Sequence, residues 1–370
     1  MEQNKWFEVK RSEDIISPAL LVYPDRIAHN IDTMVRMAGG TEQLRPHVKT
    51  YKSAHIIELQ LQRGIDKFKC ATIAEAELLA RTGAPDILLA MQPVGANPAR
   101  FVKLMAAYPG SAFSTLVDNL ITATALGQLA KKENTTMALY VDLNVGMHRT
   151  GIVPGEEALA LYRYIAAHPH LEAKGLHAYD GHLRNPDAAQ RRADCDAAFA
   201  SVEALATSIE KASLPPPTIV AGGSPTFPFH AKRKGVIASP GTTLLWDAGY
   251  GGLFKEMDFL PAAVLFTRVI SNPKPGVCCM DLGHKSLAPE MGFPRVQFLD
   301  LPQSEQIKQS EEHLVLALDN GTSLPVGQAH YAVPMHICPT VAKYDRLLVV
   351  EKGAVTREWP VTARNQKLNI

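Results

Sequence analysis

From Ala19 to about Thr243, short apolar runs rich in β-formers alternate with longer stretches whose apolar positions recur every three or four residues. That alternation is the pattern of βα units wound around a parallel sheet. The runs predict strands at 44–49, 68–73, 87–91, 113–117, 138–143, 175–179, 218–222 and 235–239. Helical periodicity between them predicts helices at 53–64, 74–83, 98–108, 120–133, 156–168 and 187–212, with a short piece at 226–232. The predicted fold class is α/β, a (β/α)8 TIM-type barrel, in which reactive groups gather at the C-terminal strand ends.

Beyond about Phe259 the long helical stretches stop. Apolar runs at 262–270, 277–282, 295–298, 314–318, 347–351 and 356–359, with turns at 273–276 and 319–321, predict a mostly β C-terminal domain. The expected division is a barrel over 19–255 and a β-rich domain made of 1–18 plus 256–370, the first residues joining an edge of the second domain.

At 370 residues the chain is long enough for two such cores. Lys+Arg 38 against Asp+Glu 37 leaves a formal charge of +1, and no basic stripe tracks a phosphate backbone, so nucleic acid is not an expected partner. The N-terminus shows no apolar stretch of signal-peptide length and no later run reaches membrane-span length, which reads as a cytoplasmic protein without a membrane partner. The five cysteines are odd in number and scattered, without a C-x-x-C pair, so reduced thiols are expected.

Unusual residues sit at the predicted strand ends. In Leu44-Arg45-Pro46-His47-Val48-Lys49, alternate polar residues share one face of a strand, and Lys49 stands where that strand runs into a loop. A buried lysine there can form a Schiff base with an aldehyde, although ordinary solvated lysines at 49 and 52 fit this segment alone equally well. The fifth strand runs into Asp142 to Gly151, and the sixth into His177, Tyr179 and His182. Gly222-Gly223-Ser224 and Ser239-Pro240-Gly241-Thr242 follow the last two strands and would offer backbone N–H groups and hydroxyls to an anion.

A barrel with a lysine after its first strand, Gly146-Met147-His148-Arg149-Thr150-Gly151 after its fifth and a trailing β domain resembles the fold-type III pyridoxal phosphate enzymes, of which alanine racemase is one. Three segments, Arg45 to Thr50, Asp281 to Lys285 and Val333 to Thr340 followed by Tyr344-Asp345, resemble the metal-dependent D-threonine aldolase and D-serine dehydratase family. The resemblance implies that Lys49 binds pyridoxal 5'-phosphate covalently, that Arg149 reaches the cofactor's ring oxygen and that Tyr179 lies close to its ring. Gly222, Gly223, Ser224, Gly241 and Thr242 become the phosphate cradle. His336 and Cys338 become ligands of a divalent metal, Mn²⁺ or Zn²⁺. Ser239 stands where alanine racemase has an arginine beside the pyridine nitrogen, and His284 where the racemase's second-domain tyrosine approaches the partner subunit's cofactor. His284 is therefore a catalytic candidate beside Lys49, and a head-to-tail homodimer is expected.

A pyridoxal cofactor stabilises the carbanion formed when any bond to the substrate α-carbon breaks, so the protein must choose the bond. A metal on an N/S pair would polarise a β-hydroxyl. The leading expectation is a lyase acting on small D-β-hydroxy-α-amino acids, cleaving D-threonine-like substrates to glycine and an aldehyde. The alternatives are a D-serine or 3-hydroxyaspartate dehydratase and, outside catalysis, a pyridoxal phosphate carrier. His177 and His182 are further acid–base candidates.

Overall fold

A computed structural model of the chain describes residues 5–301 and 303–370. The expected β-rich domain also takes in Met1–Asn4 and Pro302, which lie outside the described residues. By compactness the chain divides into a barrel unit, Met34–Lys49 with Ile57–Gly241 and Asn365–Ile370, and a β-rich unit, the residues up to Thr33 with Thr50–Ile56 and Thr242–Arg364.

The first strand, β1 (Ala19–Val22), pairs antiparallel with 263–266 and parallel with 348–349, so it belongs to the β-rich unit rather than opening the βα series. All four of its residues are buried. It leads into α1 (Pro24–Ala38), a helix absent from the sequence reading although Ile27, Ile31 and Met34 recur at helical spacing and are fully buried.

The barrel unit is built on seven parallel strands in chain order: β2 (Lys67–Cys70), β3 (Asp86–Leu89), β4 (Ala112–Val117), β5 (Met137–Leu143), β6 (Leu171–Ala178), β7 (Thr218–Ala221) and β8 (Val236–Ala238). The predicted first strand is much shorter than expected. It bridges β8 at Leu44 and β2 at His47, and from Val48 to Thr50 the backbone turns into a 3-10 helix. Pro46 has no N–H to give a ladder. Closure therefore rests on a few bonds: Arg45 N–H to Ala238 O at 2.9 Å, His47 N–H to Pro240 O at 2.8 Å, and Lys69 N–H to Pro46 O at 2.9 Å. The segment is the eighth stave.

The intervening helices are α2 (Ala54–Leu61), α3 (Ile73–Arg81), α4 (Asn97–Ala107), α5 (Leu120–Lys132), α6 (Glu156–Ala167), α7 (Ala188–Lys211) and the single turn α8 (Phe227–His230). Local chemistry starts several of them. Thr72 Oγ1 accepts from Glu75 N–H at 3.1 Å while Glu75 Oε2 accepts from Ala71 N–H at 2.6 Å, and Asn119 Oδ1 accepts from Thr122 N–H at 2.8 Å. In this core Leu139, Val141, Tyr162, Ile165, Leu176 and Val202 have no solvent exposure. Each such side chain contributes roughly 1.5–3 kcal/mol by burial.

The β-rich unit adds α9 (Ala248–Leu253), α10 (Ile337–Val341) and strands β9 (Ala263–Lys274), β10 (Val277–Met280), β11 (Val296–Phe298), β12 (Ser304–Gln309), β13 (Leu314–Leu318), β14 (Ala329–Pro334), β15 (Arg346–Glu351) and β16 (Ala354–Pro360). Their order is β12-β13-β10-β9-β1-β15-β16, with β14 pairing both β9 and β11. Phe7, Val9 and Ile15 pack with Leu21, Phe266 and Tyr331, so the described N-terminal residues join this unit's core. The polar run of β12 (SEQIKQ) and the proline-ended β14 (AHYAVP) carry little strand signal in the sequence. Among the described residues, no helix is long and apolar enough to cross a membrane.

Candidate active site

A cavity of about 440 Å³ lies at the C-terminal strand ends of the barrel unit, lined among others by Lys49, Lys69, Asp142, Arg149, His177 and Tyr179. The β-rich unit holds a larger one, about 690 Å³, lined by Lys10, Asp14, Tyr344, Asp345, Arg346 and other residues. Size does not decide between them. Only the smaller one gathers buried ionisable groups from several strand ends, where a barrel carries its chemistry.

Tyr179 organises that cavity. Lys49 Nζ lies 5.6 Å from its ring centroid, Lys69 Nζ 5.7 Å and the Arg149 guanidinium carbon 5.0 Å. Lys49 is half-buried in the 3-10 turn, and Arg149 is exposed on the loop after β5. Arg45, on the same short stave, is 1 % exposed and forms a two-pronged ion pair with Asp86, at 2.8 and 2.6 Å. It is a structural cation of the barrel interior.

Lys69, Asp142 and His177 form a chain. Lys69 Nζ stands 3.5 Å from His177 Nε2, His177 Nδ1 donates to Asp142 Oδ1 at 2.7 Å, and Thr150 Oγ1 donates to Asp142 Oδ2 at 2.8 Å. Burial, reinforced by the charge of Lys49, brings the Lys69 amine down to about 7. Burial also lowers His177 against the opposing pull of Asp142. Burial alone would raise Asp142, yet its bond from His177 and that from Thr150 hold it below the usual carboxylate value. Lys69 is the residue that sequence reasoning missed. Its alternation with Phe68 looks like one wet strand face, but in a closed parallel barrel both faces are covered.

The two glycine turns are prebuilt. Gly222 has φ +79°, and a Cβ there would lie 2.6 Å from His230 Cδ2. A Cβ on Gly223 would meet the Tyr179 ring at 3.0 Å. Gly241 N–H donates to Ser224 Oγ at 3.1 Å, tying the turns together, and Ser239 Oγ donates to Arg45 O at 2.8 Å. The glycine backbone thus lies close to the tyrosine ring, leaving room that side chains would fill, which fits a phosphate-bearing ring held against Tyr179. Beneath them, Asp180 accepts from Thr226 Oγ1 at 2.7 Å and from His230 Nε2 at 2.8 Å, with Cys195 beside them. Among the described residues, Asp180, Cys195 and His230 form the one cluster of three close enough to share an ion. The carboxylate oxygens are already engaged and burial pushes the Cys195 thiol up to about 12, so the cluster reads as a support for the turn.

Other candidates fall in the β-rich unit. Asp247 caps α9 by accepting from Tyr250 N–H at 2.9 Å and also accepts from Ile337 N–H at 3.1 Å, which fixes the segment carrying His336 and Cys338. A Cβ on Gly249 would lie 2.3 Å from Met335 O, so only glycine permits that approach. Cys338 Sγ is 3.2 Å from Thr50 Oγ1 and 3.6 Å from Thr242 Oγ1. His336 Nδ1 meets Glu290 Oε1 at 2.6 Å. Partial burial opposes the charged imidazole, but contact with Cys338 and Glu290 raises it to about 9. An N/S pair with a carboxylate orienting the histidine fits a borderline divalent ion. His284 is half-buried and its backbone N–H donates to Ser310 O at 2.8 Å. His182 is exposed after β6, its ring within 2.8 Å of where a Cβ on Gly146 would lie.

A closed parallel barrel with a strand-end lysine over a tyrosine ring, glycine turns on its last two strands and a separate β-rich unit defines the fold-type III pyridoxal phosphate class. The chain belongs to the alanine racemase N-terminal domain family, whose model matches residues 22–248, and residues 262–350 match the putative serine dehydratase domain. It is 30% identical to a 3-hydroxy-D-aspartate aldolase of Paracoccus denitrificans (strain Pd 1222), over 95% of this chain and 93% of the relative. It is 25% identical to a D-threo-3-hydroxyaspartate dehydratase of Delftia sp. (strain HT23), over 93% and 96% of the two chains. The solved D-threonine aldolase from Filomicrobium marinum superposes with a TM-score of 0.88 at 27% identity, covering 95% of this chain and 96% of that one.

Proposed function

We propose that this protein is a lyase that cleaves small D-β-hydroxy-α-amino acids between the α- and β-carbons, releasing glycine and an aldehyde, with pyridoxal 5'-phosphate on Lys49 and Mn²⁺ or Zn²⁺ on His336 and Cys338. The observation that carries the reading is the convergence of Lys49 and Arg149 on the Tyr179 ring beside the Gly222–Ser224 turn. When bound, the cofactor supplies an electron sink at the substrate α-carbon, and the metal a Lewis acid for the β-hydroxyl.

The chain's own residues do the rest. Lys49 would supply the amine for the cofactor's aldehyde, and Tyr179, its ring centroid 5.6 Å from that amine, would offer the cofactor ring a face. Gly222, Gly223, Ser224, Gly241 and Thr242 would hold the cofactor's phosphate, Arg149 would orient its ring oxygen, and Ser239 would offer a neutral group to its ring nitrogen. His336 and Cys338 hold the ion, His336 oriented by Glu290. His284 contributes to the neighbouring chain's site in a head-to-tail homodimer, which sedimentation of the active protein tests; a fully active monomer removes that part.

Incubation with D-threonine and Mn²⁺ or Zn²⁺ tests the activity. Glycine with acetaldehyde supports cleavage. Ammonia with a 2-oxo acid moves the assignment to the dehydratase reading, which the match of residues 262–350 and the Delftia relative favour. Lys49→Ala should give a colourless protein that borohydride no longer labels in the presence of pyridoxal phosphate.

A further inference from the structure

Lys69 combines features that a structural lysine does not. It is 2 % exposed, and among the described residues no carboxylate lies within ion-pair distance of its amine. A buried ammonium without a counter-ion is costly, and lysine is almost never fully buried unless paired. Its amine faces the active-site cavity, over the same tyrosine ring as Lys49. Among the described residues, the one hydrogen-bond neighbour of its amine is His177 Nε2, at 3.5 Å. Because Asp142 accepts only, the His177 proton belongs on Nδ1, which leaves the Nε2 lone pair aimed at Lys69.

We propose that Lys69 is a second acid–base residue of the active site, exchanging one proton with the substrate in the cavity while the His177–Asp142 pair holds its amine in place. The proton's identity rests on the lyase reading. Cleavage breaks the Cα–Cβ bond, converts the hydroxyl into a carbonyl with loss of one proton, and leaves an electron pair at the α-carbon that takes one proton back. An amine that accepts a proton and then returns it closes that balance without any outside reagent. The groups bearing on its charge are Arg45 and Lys49 from the closing stave, Asp142 from β5 and Asp180 after β6; His47, Asp118, Arg149, His177 and Tyr179 line the same cavity. The cations and the burial favour the free amine, and the two aspartates oppose them.

Competitive labelling of the full-length purified protein with trace acetic anhydride, over about pH 5 to 10 and read by peptide mass spectrometry, measures this amine directly. The expected result is half-titration of Lys69 near 7, with protection by added pyridoxal phosphate. Lys69→Met and Lys69→Arg should each lower kcat by about 100-fold while KM stays within about threefold, because arginine keeps the charge but cannot release the proton. Titration near the ordinary 10.5, or an arginine variant that keeps kcat within about threefold, overturns the proposal. If the methionine variant fails to fold, labelling of the unaltered chain and the arginine variant still decide. Labelling does not depend on D-threonine being the substrate: a neutral-pH midpoint without glycine formation faults the lyase reading alone.

Discussion

His177 donates its Nδ1 proton to Asp142 Oδ1 at 2.7 Å, with both residues almost sealed from solvent at 5 and 7 % exposure. The unfolded chain protonates this histidine near the ordinary 6.5, whereas the folded chain does so only at lower pH, burial being the main cause. The unfolded state therefore binds more protons in that window, and stability rises with pH. Asp142 has the same sign: its contribution is present above the ordinary 3.8 and is lost as pH falls through its lower folded value. The urea midpoint should fall on acidification from about pH 7 to about pH 5. His177→Gln should flatten that decline and cost about 1–3 kcal/mol at pH 8, since a buried carboxylate loses its partner. An unchanged slope in the variant would assign the acid sensitivity elsewhere.

Arg45 should be a stability residue rather than a catalytic one. Asp86→Ala leaves its guanidinium buried without a carboxylate. The expected loss is roughly 3 kcal/mol, the low end for a buried pair, because the Asp86 side chain is itself 31 % exposed. Urea or thermal unfolding measures it, and the cavity's chemistry should survive in whatever fraction stays folded.

Gly222→Ala forces an L side chain into a positive φ and against His230. About 1–3 kcal/mol of strain should fall on the turn that is proposed to hold phosphate. Affinity for pyridoxal phosphate, read by absorbance titration, should weaken by about tenfold or more, with a smaller fall in melting temperature.

Chelation and substitution test the metal pair separately from the cofactor. Cys338→Ala or His336→Ala should lower bound divalent metal measured by elemental analysis, and activity should fall on EDTA treatment and return with added Mn²⁺ or Zn²⁺. Glu290→Gln, which weakens the contact to His336, should reduce metal affinity by about 10- to 100-fold without removing the ligands. Full metal content in Cys338→Ala would refute the assignment.

The regular barrel was legible because its strands and helices carry different periods, and the strands from β2 to β8 fall within a few residues of the apolar runs that predicted them. The elements that escaped are those whose pattern is set by what they pair with. β1 is apolar on both faces and reads like a barrel strand, but it is held between β9 and β15. β12 is mostly polar because it lies at a sheet edge. Lys49, Arg149, Tyr179 and the glycine turns stood out through motif and position. Lys69 did not, because a lone lysine in a strand carries no signal until the sheet closes around it.

The chain by itself determined the order of βα units, the change to a β-rich texture near Phe259, and the residue types that converge at the strand ends. Tertiary structure decided the pairings. It put Asp86 against Arg45, His177 between Lys69 and Asp142, and Thr50 and Thr242 against Cys338. The reason is physical: periodicity records how each segment faces water, a local property, whereas the protonation of a buried amine depends on charges brought together from strands that are distant in sequence.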